Sequence, residues 1–87
     1  MNQKLSKRLS DIYKSLSIKP GMHILEIGCG SGALARVIAQ DLTTGKILAI
    51  DRSEKAIRQA IKNSQEEIAS GRLSFRNRTF HGFYYGY

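Results

Sequence analysis

A single cysteine, Cys29, stands in 87 residues, so no disulfide can close within the chain and no cysteine cluster can hold a metal. Long apolar runs are missing too. The stretches present fall far short of the roughly 20 residues that span a bilayer, which excludes a transmembrane helix. Met1-Asn2-Gln3-Lys4 leads into a mixed amphipathic pattern rather than a continuous apolar segment, so no signal peptide is expected. Internal repeats and low-complexity linkers are also absent. These absences set a cytoplasmic location as the expectation, with no membrane partner and no metal site. Acid is scarce: 7 Asp and Glu stand against 14 Lys and Arg, for a net charge of +7. Such a balance admits a polyanionic partner, RNA or DNA. The basic residues, however, are spread along the chain (Lys4, Arg8, Lys14, Arg36, Lys46, Arg58 among them) and fall mostly on expected solvent faces.

What is there is ordinary globular material. A hydrophobic fraction of 41% argues against disorder, and the length allows one small domain with a thin stability margin. Leu5, Leu9, Ile12 and Leu16 recur at helical spacing and predict an amphipathic helix over residues 3–16. Pro20-Gly21 breaks the chain. Met22 to Ile27 reads as a buried strand, and Ala33, Leu34, Val37 and Ile38 begin a helix running to about Asp41. Ile47 to Ile50 is a second buried strand, ending at Asp51. Ser53 caps a third helix with Glu54 in its first turn; Ile57, Ala60, Ile61, Ser64 and Ile68 mark its inner face, and Gly71 ends it. Leu73 to Asn77 alternates as a third strand. A helix followed by βαβαβ implies an α/β fold. The expected form is half of a Rossmann-like parallel sheet, with strand order 3-2-1, right-handed crossovers and three α/β/α layers.

The chemistry concentrates where the first strand meets the next helix. Gly28, Gly30 and Gly32 alternate in Glu26-Ile27-Gly28-Cys29-Gly30-Ser31-Gly32. Glycine lets the backbone turn sharply and leaves room for a ligand, while the N–H groups opening the helix favour a polar or anionic group. Glu26 either braces the loop N–H groups or meets a ligand directly; both readings stand at this point. Cys29 sits within the loop as a small packing residue on the cofactor side rather than a nucleophile. Asp51 closes the second strand about 20 residues after the loop, where the ribose-binding acid of such folds lies, with a helix-terminal acid as the alternative. Arg52 follows it. Gly28, Gly30 and Ala33 also satisfy the looser pattern of nicotinamide-binding domains, which Glu26 and the extra Gly32 disfavour. His23 lies at the far end of its strand, away from the loop, and His81 has no visible partner.

The stretch from Pro20 to Asn77 resembles the cofactor-binding half of class I S-adenosylmethionine-dependent methyltransferases. Glu26 to Gly32 is similar to that family's first motif, and Ile47-Leu48-Ala49-Ile50-Asp51 to its acidic motif. The resemblance implies S-adenosylmethionine as cofactor, with the loop of Gly28 to Gly32 against its methionine part. It implies Asp51 on the ribose hydroxyls and Arg52 near the adenine. The family's acidic residue after the third strand is replaced by Asn77-Arg78-Thr79-Phe80-His81, where Asn77 is the remaining hydrogen-bonding group. The later strands that supply acceptor pocket and catalytic groups have no match, so no catalytic residue is assigned. The expectation is a truncated cofactor-binding domain over 1–80 and an aromatic tail over 81–87, with an unidentified methyl acceptor. That tail is either a covering for exposed sheet or sequence never selected to fold. The alternative function is a non-catalytic module for nucleotide-cofactor binding or for assembly and interaction, with RNA as a candidate partner. The first strand, apolar yet without its usual second neighbour, is expected to be capped by another copy of the chain or by the tail.

Overall fold

The computed structural model describes residues 5–80, which form a three-stranded parallel sheet ordered β1-β2-β3 with helices on it. The elements run α1 (Lys7–Ser15), β1 (His23–Ile27), α2 (Ala33–Asp41), β2 (Lys46–Asp51), α3 (Glu54–Lys62), α4 (Gln65–Ala69) and β3 (Leu73–Asn77). The strand order is the expected one, and β3 has the bounds read from its alternation. The tail expected over 81–87 lies outside the described residues.

Each helix starts for a local reason. Ser6 caps α1, its Oγ accepting from Leu9 N–H at 3.2 Å, and Ser53 caps α3 in the same way from Ala56 N–H at 3.1 Å. Such a cap contributes about 1 kcal/mol. Helix α1 carries no fully buried residue. It lays Leu9 and Tyr13 on the core, and the Tyr13 hydroxyl donates to Asp41 Oδ2 at the end of α2. That bond raises the Tyr13 pKa above its ordinary value, since it holds the phenol beside a carboxylate.

Register fixes which side chains share a face. Glu26, Ala49 and Phe75 stand side by side across the sheet, one row beyond Ile24, Ile47 and Leu73. This face meets the helices: Ile47, Ala49, Leu73 and Phe75 join Leu34, Ala35, Ile38, Ala39, Leu42, Ile57 and Ala60 in one core. Two successive right-handed crossovers in one direction put α2 and α3 on the same side of the sheet. The opposite face carries Leu25 and Ile27, 48% and 50% exposed. The described residues therefore supply two layers of the expected three-layer architecture. Strand β1, expected to have central character, is an edge that pairs only with β2 among the described residues.

The third helix differs from the sequence reading. It is broken at Asn63 and Ser64 into α3 and the short α4. Ser64 is completely buried, and its Oγ accepts from Arg36 Nη1 at 2.9 Å. A polar side chain drawn into the core by a partner on α2 turns the chain, and Ile61 is left 38% exposed rather than on the inner face. Gly71, at φ 82°, ends α4 as expected.

Gly32 is the tightest point of the architecture. It caps α2 at φ 85°, and a Cβ there would lie 2.9 Å from Phe75 Cζ and 3.1 Å from Ala60 Cβ. Gly32→Ala therefore combines left-handed backbone strain with overpacking against β3 and α3. The expected loss is roughly 2–4 kcal/mol of folding stability. It would show as a clear fall in thermal midpoint by circular dichroism; an unchanged midpoint would contradict the packing described.

Candidate functional site

The carboxyl ends of β1 and β2 and the loop between β1 and α2 form one constellation. Gly28 and Cys29 N–H groups both donate to Ile50 O, at 2.9 and 3.0 Å, which pulls the loop across the end of β2. Gly30 N–H donates to Asp51 Oδ2 at 2.8 Å, and Ser53 N–H to Asp51 Oδ1 at 2.9 Å. One carboxylate thus holds the glycine loop and the start of α3. These bonds, Ser53's first and Gly30's second, keep the Asp51 pKa below the usual carboxylate range. The sign follows. The brace is present above the ordinary unfolded carboxylate pKa and is lost as pH falls through the lower folded value. Each Asp51 oxygen still has lone-pair capacity after one bond, because a carboxylate offers about four acceptor sites.

Glu26 behaves in the opposite way. Its place on the helix-covered face of β1 leaves it half-buried, and Oε1 is buried with no hydrogen-bond partner among the described residues. The loop N–H groups of Gly28, Cys29, Gly30 and Gly32 donate elsewhere, so bracing them is not its role. Burial, then the nearby Asp51 charge, push the Glu26 pKa up. Its ionised form therefore costs stability, increasingly so as pH rises from the ordinary carboxylate value through the raised one. An orphaned acceptor beside open space is matched by a cationic or N–H-bearing ligand group.

The loop leaves that space. Gly30 has φ 56°, and a Cβ on it would meet nothing within 4 Å, in contrast to Gly32. Two cavities flank Ile27 and Gly28. One of about 390 Å³ lies between α1 and the loop, with Arg8, Leu9, Ile12, Glu26, Gly30 and Ser31 among its walls. The other, of about 300 Å³, is bounded by Ile50, Asp51, Arg52, Arg78, Thr79 and Phe80. A ligand passing over Gly28 would occupy both.

The remaining sequence-predicted residues are placed as follows. Cys29 is 8% exposed, and burial followed by the Glu26 and Asp51 charges pushes its thiol up to about 12, so it packs and does not attack. Arg52 is exposed beside the second cavity. The Asn77 amide donates through Nδ2 to Asp51 O at 3.0 Å, tying β3 to β2 and leaving Oδ1 as its acceptor. His23 is exposed at the amino end of β1, opposite the loop, while His81 is outside the described residues. Among the described residues no three His, Cys, Asp or Glu side chains gather to hold a metal ion. No helix among them is long and apolar enough to cross a membrane.

Three contributors escape the sequence reading. Arg36 Nη1 donates to Ser31 O and to Ser64 Oγ, both at 2.9 Å, fastening the loop to the α3–α4 break. Arg8 and Phe80 each line a cavity. Arg36 bonds back to Ser31 within the loop and helix of one motif, whereas Arg8 and Phe80 reach the cavities from segments outside the glycine and acidic motifs.

A family model described as a methyltransferase domain matches residues 18–84. Ribosomal protein L11 methyltransferase of Burkholderia cenocepacia is 38% identical over 62 residues, which are 71% of this chain and 20% of that protein. A crystal structure of an S-adenosylmethionine-dependent O-methyltransferase from Thermotoga maritima superimposes with a TM-score of 0.71 at 27% identity, covering 91% of this chain and 31% of that one. A Geobacter sulfurreducens S-adenosylmethionine-dependent methyltransferase, solved with S-adenosyl-L-homocysteine, gives 0.64 at 28% identity over 99% of this chain and 32% of its own. The chain spans a fifth to a third of these relatives. With the family model covering residues 18–84, and so most of its length, this chain belongs to the methyltransferase-domain family.

Proposed function

We propose that this chain is an S-adenosylmethionine-binding unit and works in methyl transfer to an acceptor still to be identified. The single observation that carries the reading is the orphaned Glu26 Oε1 facing a loop whose Gly30 leaves its Cβ space empty. The α-amino group of the cofactor supplies the donor Glu26 lacks. The backbone of Gly28, Cys29, Gly30 and Gly32 lies against the methionine part. The spare lone pairs of Asp51 take the ribose hydroxyls. Arg52 borders the adenine, and Asn77 Oδ1 accepts from its amino group. Ile50 and Phe80 offer apolar walls on that side.

The bound cofactor supplies a methyl on a sulfonium centre, transferred by direct displacement as the C–S bond breaks. This chain's residues contribute by positioning. Catalytic groups and acceptor contacts are not assigned to any residue here.

Isothermal titration with S-adenosylmethionine and S-adenosylhomocysteine tests the reading. Heat is expected with both, and Asp51→Ala is expected to weaken binding by roughly tenfold or more, since hydrogen bonds to a charged group are worth about 1.5–3 kcal/mol. No heat with the unaltered chain sinks it. The response to pH is a separate test. Affinity for S-adenosylhomocysteine is expected to rise with pH through the elevated Glu26 pKa, as the carboxylate ionises against the ligand's ammonium. Glu26→Gln is expected to flatten that dependence; a variant as pH-sensitive as the parent would remove Glu26 from the site.

We also propose a second copy of the chain as a partner along the β1 edge. Strand β1 has an unpaired side among the described residues, and Leu25 and Ile27 expose half of their surface beside it. Light scattering on a sizing column should then give a dimer that Ile27→Lys converts to monomer. A parent chain that runs as a monomer at all concentrations would refute the pairing.

A further inference from the structure

Three serines stand at helix starts. Ser6 and Ser53 turn their Oγ toward the first turn of the helix they open, the ordinary use of serine there. Ser64 opens α4 and does otherwise. Its hydroxyl makes no capping bond, is fully buried, and accepts from Arg36 Nη1 at 2.9 Å. The same nitrogen donates to Ser31 O, also at 2.9 Å. One end of a guanidinium therefore joins the break between α3 and α4 to the glycine loop. The peptide unit between Ser31 and Gly32 is planar, so holding its carbonyl fixes where its N–H points. That N–H donates to Cys29 O at 3.0 Å and closes the turn that carries Gly30. Gly30 in turn donates to Asp51 and leaves its outer side open.

We propose that Arg36 is a positioning residue that sets the turn from Cys29 to Gly32 from the α3–α4 break, so that ligand affinity at the loop depends on Ser64. The inference rests on the cofactor reading above and goes beyond it, since neither Arg36 nor Ser64 lines either cavity. A guanidinium suits the task. Nη1 carries two hydrogens, one for each oxygen, and charge-assisted bonds are stronger than neutral ones. The serine hydroxyl is drawn away from the helix it opens and serves the loop instead.

The test uses the full chain, titrated with S-adenosylhomocysteine well below its thermal midpoint, with folding checked by circular dichroism. Arg36→Met keeps the aliphatic stem and removes both donors. It is expected to weaken binding about fivefold, the scale of one hydrogen bond. Ser64→Ala should weaken binding in the same direction, and the double variant should lose no more than Arg36→Met alone. Arg36→Lys, with three donors on its ammonium, should recover most of the loss. Hydrogen exchange read by NMR on the unliganded chain separates positioning from general stability. The Gly30 and Gly32 amides should exchange several-fold faster in Arg36→Met, with the Ile47 amide of β2 unchanged. Parent affinity in Arg36→Met or in Ser64→Ala overturns the proposal, as does a uniform rise in exchange across the sheet. Should Arg36→Met fail to fold, Ser64→Ala decides by the same two readouts. A parent chain that binds no S-adenosylhomocysteine overturns the cofactor reading, and the exchange measurement then decides on the hold over the turn by itself.

Discussion

Everything at the working end of this fold hangs on the Asp51 carboxylate and the two N–H groups it accepts. Parallel strands release their chain at one edge of the sheet, and nothing in strand pairing says where the following loops go. Here Asp51 takes Gly30 on one oxygen and Ser53 on the other, so the turn after β1 and the turn after β2 are held by the same group. The Ile50 carbonyl doubles this by accepting from Gly28 and Cys29. The loop is thereby shaped before any ligand arrives, which lowers the ordering cost of binding.

Repulsion between two carboxylates near one another acts to raise the pKa of both. Their surroundings separate them instead. Asp51 is solvated by backbone N–H groups and stays ionised, while Glu26, on the covered face of β1, is starved of partners. The difference arises from strand register. Glu26 stands in the row of Ala49 and Phe75, beneath the helices, whereas Asp51 has passed beyond the last core row. A site with one satisfied and one unsatisfied acid is polarised toward the side where a cation is missing.

Much of the fold was legible because it is local. The alternation in Leu73 to Asn77, the cap at Ser53 and the breaks at Pro20 and Gly71 each depend on neighbours in sequence, and each stands where the pattern put it. What stayed hidden depends on distant partners. The break at Ser64 is made by Arg36, 28 residues earlier, and periodicity alone continues the helix across it. Asp51 reads as a ligand-binding acid from its spacing, but its brace on Gly30 spans 21 residues and leaves no mark in either segment. The two roles of Glu26 were inseparable until the loop N–H groups were seen to donate elsewhere. Amphipathic spacing showed that α1 has an apolar stripe without showing what that stripe faces.

Gly30 and Gly32 look alike in sequence and are constrained by different things. A side chain at position 32 would collide with Phe75 and Ala60; one at position 30 would enter space that the protein does not fill. Among descendants that had abandoned the ligand, position 32 would be kept by packing and backbone together, while position 30 would be held by its left-handed backbone alone and would admit asparagine or aspartate. The pair thus separates two demands that one residue type answers: a bend in the chain at position 30, and a bend pressed against its neighbours at position 32.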